Sequence, residues 1–366
     1  MNALKKCSRS DFFKQASLVA GAAIAVENSA YAAEEVPGVP VRRMGKTDLQ
    51  LPMVSLGTSV GQDVNVMKFA ISKGMTFIHL SATYKGGKSI KNLAEAIKGQ
   101  RDKVTLGMKI TWDIDDDESM DEALDKLGVD HVDIGFFHIH DADKVRDSKY
   151  KRAAERLKKK GTIRYIGLTS HKEVPECLEA GLDEGFYDVL MPAYTITEEE
   201  RFLPIFERAQ KQGVGVVLMK TMRGVTGAYE ELVPHYLATT GITTIVKGVD
   251  SFPEIMQLIA ASKTEPDQEA GIRLRKSAEV AMSGHCLMCG TCTSSCPKGL
   301  PVSDVVRCSD YYLEHASHVE TAFETYQELS RKPSVAICGE CSVCESACPS
   351  RVPIRHHIRR AEHILV

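Results

Sequence analysis

Between residues 41 and 262, short apolar runs alternate with longer amphipathic segments. The apolar runs are nearly continuous, which is typical of parallel strands buried on both faces. They predict eight strands, at Met53–Leu56, Thr76–Leu80, Val104–Met108, Val132–His138, Ile163–Leu168, Asp188–Met191, Val214–Leu218 and Thr243–Val246. The segments between them predict helices, for example over Ile90–Lys98, Ser148–Lys160 and Glu199–Lys211. Eight strand–helix units favour an α/β fold of the (β/α)8 TIM-barrel type, and no Gly-x-Gly-x-x-Gly follows any strand to suggest an open dinucleotide-binding sheet.

Residues 1–32 have a different pattern. A basic start is followed by an apolar run over Ala16–Val26 and by Ala30-Tyr31-Ala32, a layout typical of a cleavable export signal. Residues 8–14, Ser-Arg-Ser-Asp-Phe-Phe-Lys, resemble the twin-arginine signal, with Ser10 in place of the second arginine. Because that route carries folded proteins with their cofactors, the expected partner is the export machinery for folded proteins and the expected location is the periplasm. The alternative is an uncleaved helix on a cytoplasmic enzyme, which a mature chain beginning at Ala33 would exclude.

The composition excludes several classes of protein. The 366 residues include 46 Lys and Arg against 49 Asp and Glu, and this net charge of −3 gives no support for nucleic-acid binding. No apolar run reaches the roughly 18 residues of a membrane-spanning helix. Nine of the eleven cysteines lie after residue 285.

Eight of these nine cysteines, all except Cys308, form two copies of one motif. Each copy reads Cys-x2-Cys-x2-Cys-x3-Cys-Pro, over residues 286–297 and 338–349. This spacing is the ferredoxin signature for [4Fe–4S] clusters, in which the fourth cysteine of each motif binds the other cluster. The predicted ligands of one cluster are Cys286, Cys289, Cys292 and Cys348, and those of the other are Cys338, Cys341, Cys344 and Cys296. Two zinc sites and a disulfide framework are the alternatives, although neither habitually uses this spacing.

The motifs complete a predicted domain organisation. An export signal spans residues 1–32, the barrel 33–262, a linker helix 263–284 and a small α-helical ferredoxin-like domain 285–366. Segments 304–314 and 318–330, between the two motifs, read as helices.

Candidate chemistry lies where the barrel strands end, which is where TIM barrels place their active sites. His79, Lys109 and His138 follow or end the second, third and fourth strands, and Tyr84 comes five residues after His79. A cation beside a buried phenol is expected to lower its pKa, so that Tyr84 could protonate a carbonyl oxygen near neutral pH.

These residues resemble the catalytic tetrad of the aldo/keto reductases. The resemblance covers residues 42 to about 262 and is carried by segments 42–47, 74–81, 107–109, 130–138 and 166–171. It implies that Tyr84 is the general acid, that Lys109 tunes it and that His138 orients the carbonyl. It also implies NADPH as a cofactor, with Thr169 and Ser170 at the nicotinamide and Lys247 and Ser251 at the phosphates. The C-terminal module resembles the iron–sulfur branch of the family.

Two positions depart from the family. His79 stands where the family has an aspartate that pairs with the lysine, and Met191 stands where a glutamine binds the nicotinamide amide. His79 is interpreted as a second proton donor.

Two functions follow. The first is an oxidoreductase acting on a small carbonyl or alcohol substrate, whose clusters exchange electrons with a redox partner protein. The second is an exported electron-transfer protein whose barrel is catalytically degenerate and serves as a docking platform. Hydride transfer moves two electrons and clusters move one, and no flavin motif is evident to connect them.

Overall fold

The computed structural model describes residues 38–366 except residues 62, 223–224, 226–228, 315–318, 328 and 330. Within this range Gly38–Val366 forms one compact unit. The predicted export signal, residues 1–32, lies outside the described residues. None of the helices described is both long and apolar enough to cross a membrane.

Eight parallel strands close into a barrel, as predicted. They are β3 (Val54–Gly57), β4 (Phe77–Ser81), β5 (Thr105–Ile110), β6 (Val132–His138), β7 (Ile163–Ser170), β8 (Val189–Pro192), β9 (Gly215–Met219) and β10 (Ile242–Lys247). The strands follow one another around the barrel in chain order, and β10 closes it by pairing with β3. Every strand matches its predicted position to within two residues, because continuous apolar runs mark strands that are buried on both faces.

A hairpin closes the amino-terminal end of the barrel. Its strands are β1 (Val41–Arg43) and β2 (Gln50–Pro52), which pair antiparallel. Met44 and Leu51 are fully buried and belong to the core that fills the barrel. Gly45 has φ +51°, and a Cβ there would lie 2.4 Å from the carbonyl oxygen of Gly213, so this turn requires glycine.

Ten helices are described before the C-terminal module. They are α1 (Val64–Ser72), α2 (Lys88–Ile97), α3 (Asp117–Leu127), α4 (Ala142–Val145), α5 (Ser148–Lys160), α6 (Val174–Glu184), α7 (Glu199–Gln212), α8 (Tyr229–Ala238), α9 (Phe252–Ala261) and α10 (Gln268–Ala281). The last of these occupies the predicted linker but packs closely on the barrel. A Cβ at Gly271 would lie 2.7 Å from the His235 ring, on α8, and Arg273 is 3.8 Å from Glu231.

The C-terminal module, residues 285–366, is helical. Its described helices are α11 (Thr291–Ser294), α12 (Val302–Glu314), α13 (Val319–Gln327), α14 (Val335–Cys338), α15 (Val343–Ser346) and α16 (Ile354–Ile364). It lies over the carboxyl ends of the barrel strands: Tyr311 on α12 contacts Lys220, directly after β9. Gly290 of the module lies close to Lys172, just after β7, since a Cβ at Gly290 would be 3.1 Å from the Lys172 side chain. Buried residues of the barrel and of the module share one apolar core.

Candidate functional site

The four residues predicted to carry the chemistry lie at the carboxyl end of the barrel. His79 is in β4, and Lys109 is in the neighbouring β5, where the register pairs it with Ser81. Tyr84 follows β4; its ring centroid is 6.5 Å from that of His79 and 4.9 Å from the Lys109 Nζ. His138 ends β6, close enough to Lys109 for that charge to lower its pKa. The structure therefore brings the predicted set together.

His79 is a neutral imidazole in this site. Its side chain is buried, and the Nε2 atom has no hydrogen-bond partner among the described residues. Burial, and secondarily the positive charge of Lys109, lower the pKa of His79 to about 3. His79 therefore does not repel Lys109 at neutral pH, and it is too weakly basic to act as an imidazolium donor, as the sequence interpretation had required.

The expected direction of the Tyr84 pKa is wrong. Burial raises the pKa of Tyr84 well above its ordinary value. The cation meant to lower it, Lys109, has its Nζ 4.9 Å from the ring centroid, in a cation–π arrangement. The phenol therefore stays protonated through the physiological pH range, and it can donate a hydrogen bond or proton without being unusually acidic.

His138 of the tetrad belongs to a cluster of three histidines, and it is the one member of that cluster that the sequence analysis predicted as a site residue. His140 and His171 complete the cluster: the ring centroid of His138 is 4.1 Å from that of His140 and 4.8 Å from that of His171. The backbone N–H of His171 donates to His140 Nδ1, at 3.1 Å. The proton of a neutral His140 then lies on Nε2, from which it donates to His138 Nε2 at 3.0 Å. This places the His138 proton on Nδ1, which is buried without a partner among the described residues.

The cluster has the ligand spacing of a metal site but not the charge. The ligand nitrogens of His138, His140 and His171 lie within 4.8 Å of one another. Burial lowers the pKa of all three, and so do the positive charges of Arg307, Lys109 and Lys220. A divalent cation would add charge to a buried site that already holds several cations, which is unfavourable.

The positions predicted to hold the nicotinamide are buried at the ends of β7 and β8. Thr169 is fully buried, and its Oγ1 has no hydrogen-bond partner among the described residues. Ser170 is buried next to it and donates to the backbone oxygen of Lys172 at 2.8 Å. Met191 pairs with Thr169 in the sheet and contributes no polar atom. An unpaired hydroxyl in this position fits a polar ligand, since buried polar groups normally have partners.

The predicted phosphate end fits an anion less well. Lys247 Nζ makes an ion pair with the Glu254 carboxylate at 2.9 Å. Glu254 also accepts hydrogen bonds from the Tyr229 hydroxyl at 2.6 Å and the Asp250 N–H at 3.0 Å, which help to lower its pKa. Ser251 caps α9 by accepting from the Glu254 N–H. A phosphate at Lys247 would therefore meet an ionised carboxylate.

Replacing Glu254 by Gln is expected to tighten the binding of NADPH. The change keeps the shape of the side chain and removes the negative charge that holds Lys247. Because this ion pair is partly exposed, we expect about a three- to tenfold decrease in the dissociation constant. Nicotinamide fluorescence titrations of wild type, Glu254→Gln and Lys247→Met measure it, and Lys247→Met should weaken binding. Equal affinities in all three proteins would place the phosphate elsewhere.

The eight motif cysteines gather into two groups of four. The first cysteine group lines one cavity and consists of Cys286, Cys289, Cys292 and Cys348. The second cysteine group lines a second cavity and consists of Cys296, Cys338, Cys341 and Cys344. The fourth cysteine of each motif has thus joined the other motif's group, as the sequence predicted.

The chemistry of the groups fits a metal cluster. Burial in an apolar setting, together with the neighbouring thiols of its group, raises the pKa of Cys292 to about 12. A buried thiol of this kind is poorly stabilised as a thiolate unless a cation neutralises it, as a bound metal does. The sulfurs of Cys286 and Cys348 also accept backbone N–H groups, at 3.3 and 3.4 Å, and such bonds tune iron–sulfur clusters.

The folded state is expected to lose stability between pH 7 and pH 5.5. Unfolded His79 titrates near pH 6.5, whereas the folded chain holds its pKa at about 3. Below pH 6.5 the unfolded chain therefore binds a proton at His79 that the folded chain does not bind. Between pH 7 and pH 5.5, each histidine held neutral in this way lowers the free energy of unfolding by about 1 kcal/mol. Urea denaturation of wild type and His79→Asn at both pH values measures this. The variant should lose less stability by that amount, and equal losses would show that His79 is not held neutral.

The barrel resembles known proteins over most of its length. Residues 56–234 match the model of the aldo/keto reductase family. The chain is 24% identical over 190 residues to an uncharacterized oxidoreductase, YqkF, of Bacillus subtilis (strain 168), in a match that covers 46% of this chain and 61% of that protein. It thus spans less than two thirds of that relative's length. It is also 30% identical over 80 residues to a component of the ion-translocating oxidoreductase complex of Buchnera aphidicola, covering 22% of this chain and 14% of that protein.

Solved structures show the same fold. Aldo-keto reductase AKR11C1 from Bacillus halodurans, in its holo form, has a TM-score of 0.55 at 20% identity, covering 66% of this chain and 96% of its own. An aldo/keto reductase from Klebsiella pneumoniae in complex with NADP and acetate has a TM-score of 0.55 at 19% identity, covering 65% and 95%. Residues 56–234 of this chain thus match the aldo/keto reductase family model, and the barrel has the same fold as these solved aldo-keto reductases.

Proposed function

We propose that this protein is an oxidoreductase that interconverts a small carbonyl compound and its alcohol in the barrel, and that the C-terminal module carries two [4Fe–4S] clusters for electron transfer. The observation that carries the proposal is the position of the module. Both the tetrad and the loop at Gly290, inside the first cysteine motif, lie at the carboxyl ends of the strands. A redox centre in the first cysteine group would therefore lie against the reacting end of the barrel.

In this function Tyr84 holds the proton that the carbonyl oxygen receives, since its raised pKa keeps the hydroxyl protonated. NADPH, when bound beside Thr169 and Ser170, would supply the hydride that adds to the carbonyl carbon. Lys109 lies against the Tyr84 ring and places a positive charge near the developing alkoxide. In the present arrangement His138 Nε2 accepts from His140 and the His138 proton lies on Nδ1. To donate to the carbonyl, His138 must therefore either present Nδ1 or leave His140 and move its proton to Nε2.

The hydrogen bond between His138 and His140 favours a second candidate function, that of an electron-transfer protein. In it the barrel is catalytically degenerate, and the protein passes electrons between partner proteins through its two clusters. The neutral His79 in place of an aspartate and the contact between Lys220 and Tyr311 over the barrel mouth also support it. Both functions keep the clusters and a redox partner protein. Both are compatible with periplasmic location by twin-arginine export, which rests on residues 1–32 alone.

The cluster half of the proposal is tested by analysis of the anaerobically purified protein. Two [4Fe–4S] clusters require about eight iron atoms and about eight acid-labile sulfides per chain, and dithionite should produce the EPR signals of reduced clusters. About two zinc atoms per chain without labile sulfide would show that the cysteines bind zinc, and would overturn the proposal of two [4Fe–4S] clusters.

A further inference from the structure

Helix α12 of the C-terminal module crosses the mouth of the barrel and brings two polar side chains to it. Tyr311 accepts a hydrogen bond from Lys220, whose Nζ also lies 4.6 Å from the Tyr311 ring centroid. Lys220 directly follows β9 and has φ +59°, an uncommon conformation for a residue other than glycine. Arg307 lies four residues before Tyr311, one helical turn away, and so on the same side of α12.

Arg307 is largely buried in the helix that crosses the barrel mouth. Its side chain is only 11% exposed, and it makes an ion pair with Asp304 at 3.1 Å through one terminal nitrogen. Its Nε is buried and has no hydrogen-bond partner among the described residues. Arg307 is also among the charges that lower the pKa of His138, His140 and His171. The Nε–H of this donor fork is therefore left without an acceptor among the described residues, and Arg307 is near enough to His138 of the tetrad for its charge to lower the His138 pKa.

The surroundings of this fork are positively charged. Lys109 and Lys220 act on the same histidines as Arg307 does, and Lys172 acts on His140. Two carboxylates partly offset these cations: Asp304 at Arg307, and Glu173, 3.7 Å from Lys172. The histidines themselves are neutral. Several cations thus gather at the barrel mouth although the whole chain carries a net charge of −3, and cations in a buried setting attract an anion.

We propose that Arg307 binds a carboxylate of the barrel's substrate, so that the substrates are short oxo acids and the corresponding hydroxy acids. A guanidinium fits the planar geometry of a carboxylate and forms charge-assisted hydrogen bonds with it. The reacting carbonyl would then lie between this anchor and the tetrad. The inference rests on the proposed carbonyl chemistry of the barrel, and it makes the C-terminal module part of the substrate site.

The test compares a carboxylate with a neutral molecule of the same shape. Oxamate and oxamide are titrated calorimetrically into the cluster-loaded full chain of wild type, Arg307→Gln and Arg307→Lys, with Arg359→Gln as a control at an exposed arginine of the same module. We expect wild type to prefer oxamate over oxamide by at least tenfold. Arg307→Gln should lose about 10- to 100-fold in oxamate affinity, Arg307→Lys should lose less, and Arg359→Gln should bind as wild type does.

Three results would overturn the proposal. One is wild-type oxamate affinity in Arg307→Gln with unchanged cluster absorbance. Another is weaker binding of NADP⁺ but not of oxamate in that variant, which would assign Arg307 to a cofactor phosphate. A third is oxamate binding that requires added Zn²⁺ and is lost in His140→Ala. Since binding is measured without turnover, oxamate bound through Arg307 in a protein that reduces no oxo acid would support the anion site and contradict only the proposed reaction.

Discussion

Replacing Tyr84 by Phe is expected to lower carbonyl turnover by about 10²- to 10⁴-fold, the usual contribution of a positioned general acid. The hydroxyl is the only group removed, and the Lys109 Nζ, 4.9 Å from the ring centroid, keeps its cation–π contact. The variant should therefore retain its fold, its cluster absorbance and its affinity for NADPH. Steady-state kinetics on a panel of short oxo acids and aldehydes would measure the loss in kcat.

Tyr187→Phe is a matched control for this variant. Tyr187 is a fully buried tyrosine whose hydroxyl has no hydrogen-bond partner among the described residues, and burial raises its pKa as it does for Tyr84. It precedes β8, at the opposite end of the barrel from the site. Tyr187→Phe should keep wild-type turnover. Wild-type turnover in Tyr84→Phe would show that Tyr84 is not the general acid. Unchanged electron transfer with no carbonyl turnover in either protein would instead favour the degenerate barrel.

The second large effect concerns which cysteines act together. Two cysteine-to-serine changes within one group should remove one cluster and leave about four iron atoms per chain, whereas one change in each group should remove both clusters. Cys289→Ser with Cys348→Ser falls within the first cysteine group, although the two positions belong to different motifs. Cys289→Ser with Cys296→Ser affects both groups, although the two positions share one motif.

Iron analysis of the two double variants measures this effect. We expect about four iron atoms for the first pair and close to none for the second. The reverse result would mean that each motif binds its own cluster, and the grouping of the sulfurs in the structure would be wrong. Cys177→Ser is the control, since Cys177 lies in α6 and lines neither cavity, and it should retain about eight iron atoms.

The barrel strands and the two cysteine groups were predictable because both depend on local patterns. A parallel strand that is buried on both faces is apolar along nearly its whole length, so the strand Val132–His138 can be recognised from its sequence alone. Fixed spacing within each motif determines which sulfurs can converge, and the exchange of Cys296 and Cys348 follows from the same signature. The nearness of His79, Tyr84, Lys109 and His138 followed from strand order, since carboxyl ends of parallel strands share one end of a barrel.

What the sequence did not reveal depends on contacts between distant segments. Arg307 reaches the barrel because of the way the C-terminal module packs on it, and no local pattern encodes that packing. His140 and His171 face His138 only once β6 and β7 are paired. One signal was available: His140 lies two residues after His138, a spacing that often places two side chains on one face of an extended segment. The sign of the Tyr84 pKa shift likewise depends on how the folded chain buries this side chain.

The proposed function requires the barrel chemistry and the clusters to form one redox unit. An anaerobic titration of the cluster-loaded protein with NADPH, following the nicotinamide and cluster absorbance bands together, tests this coupling. We expect NADPH to be consumed and the cluster band to bleach as it is consumed, since the first cysteine group belongs to the module that lies on the barrel mouth. If neither band changes while dithionite does bleach the clusters, the barrel does not pass electrons to the module, and the coupling is contradicted.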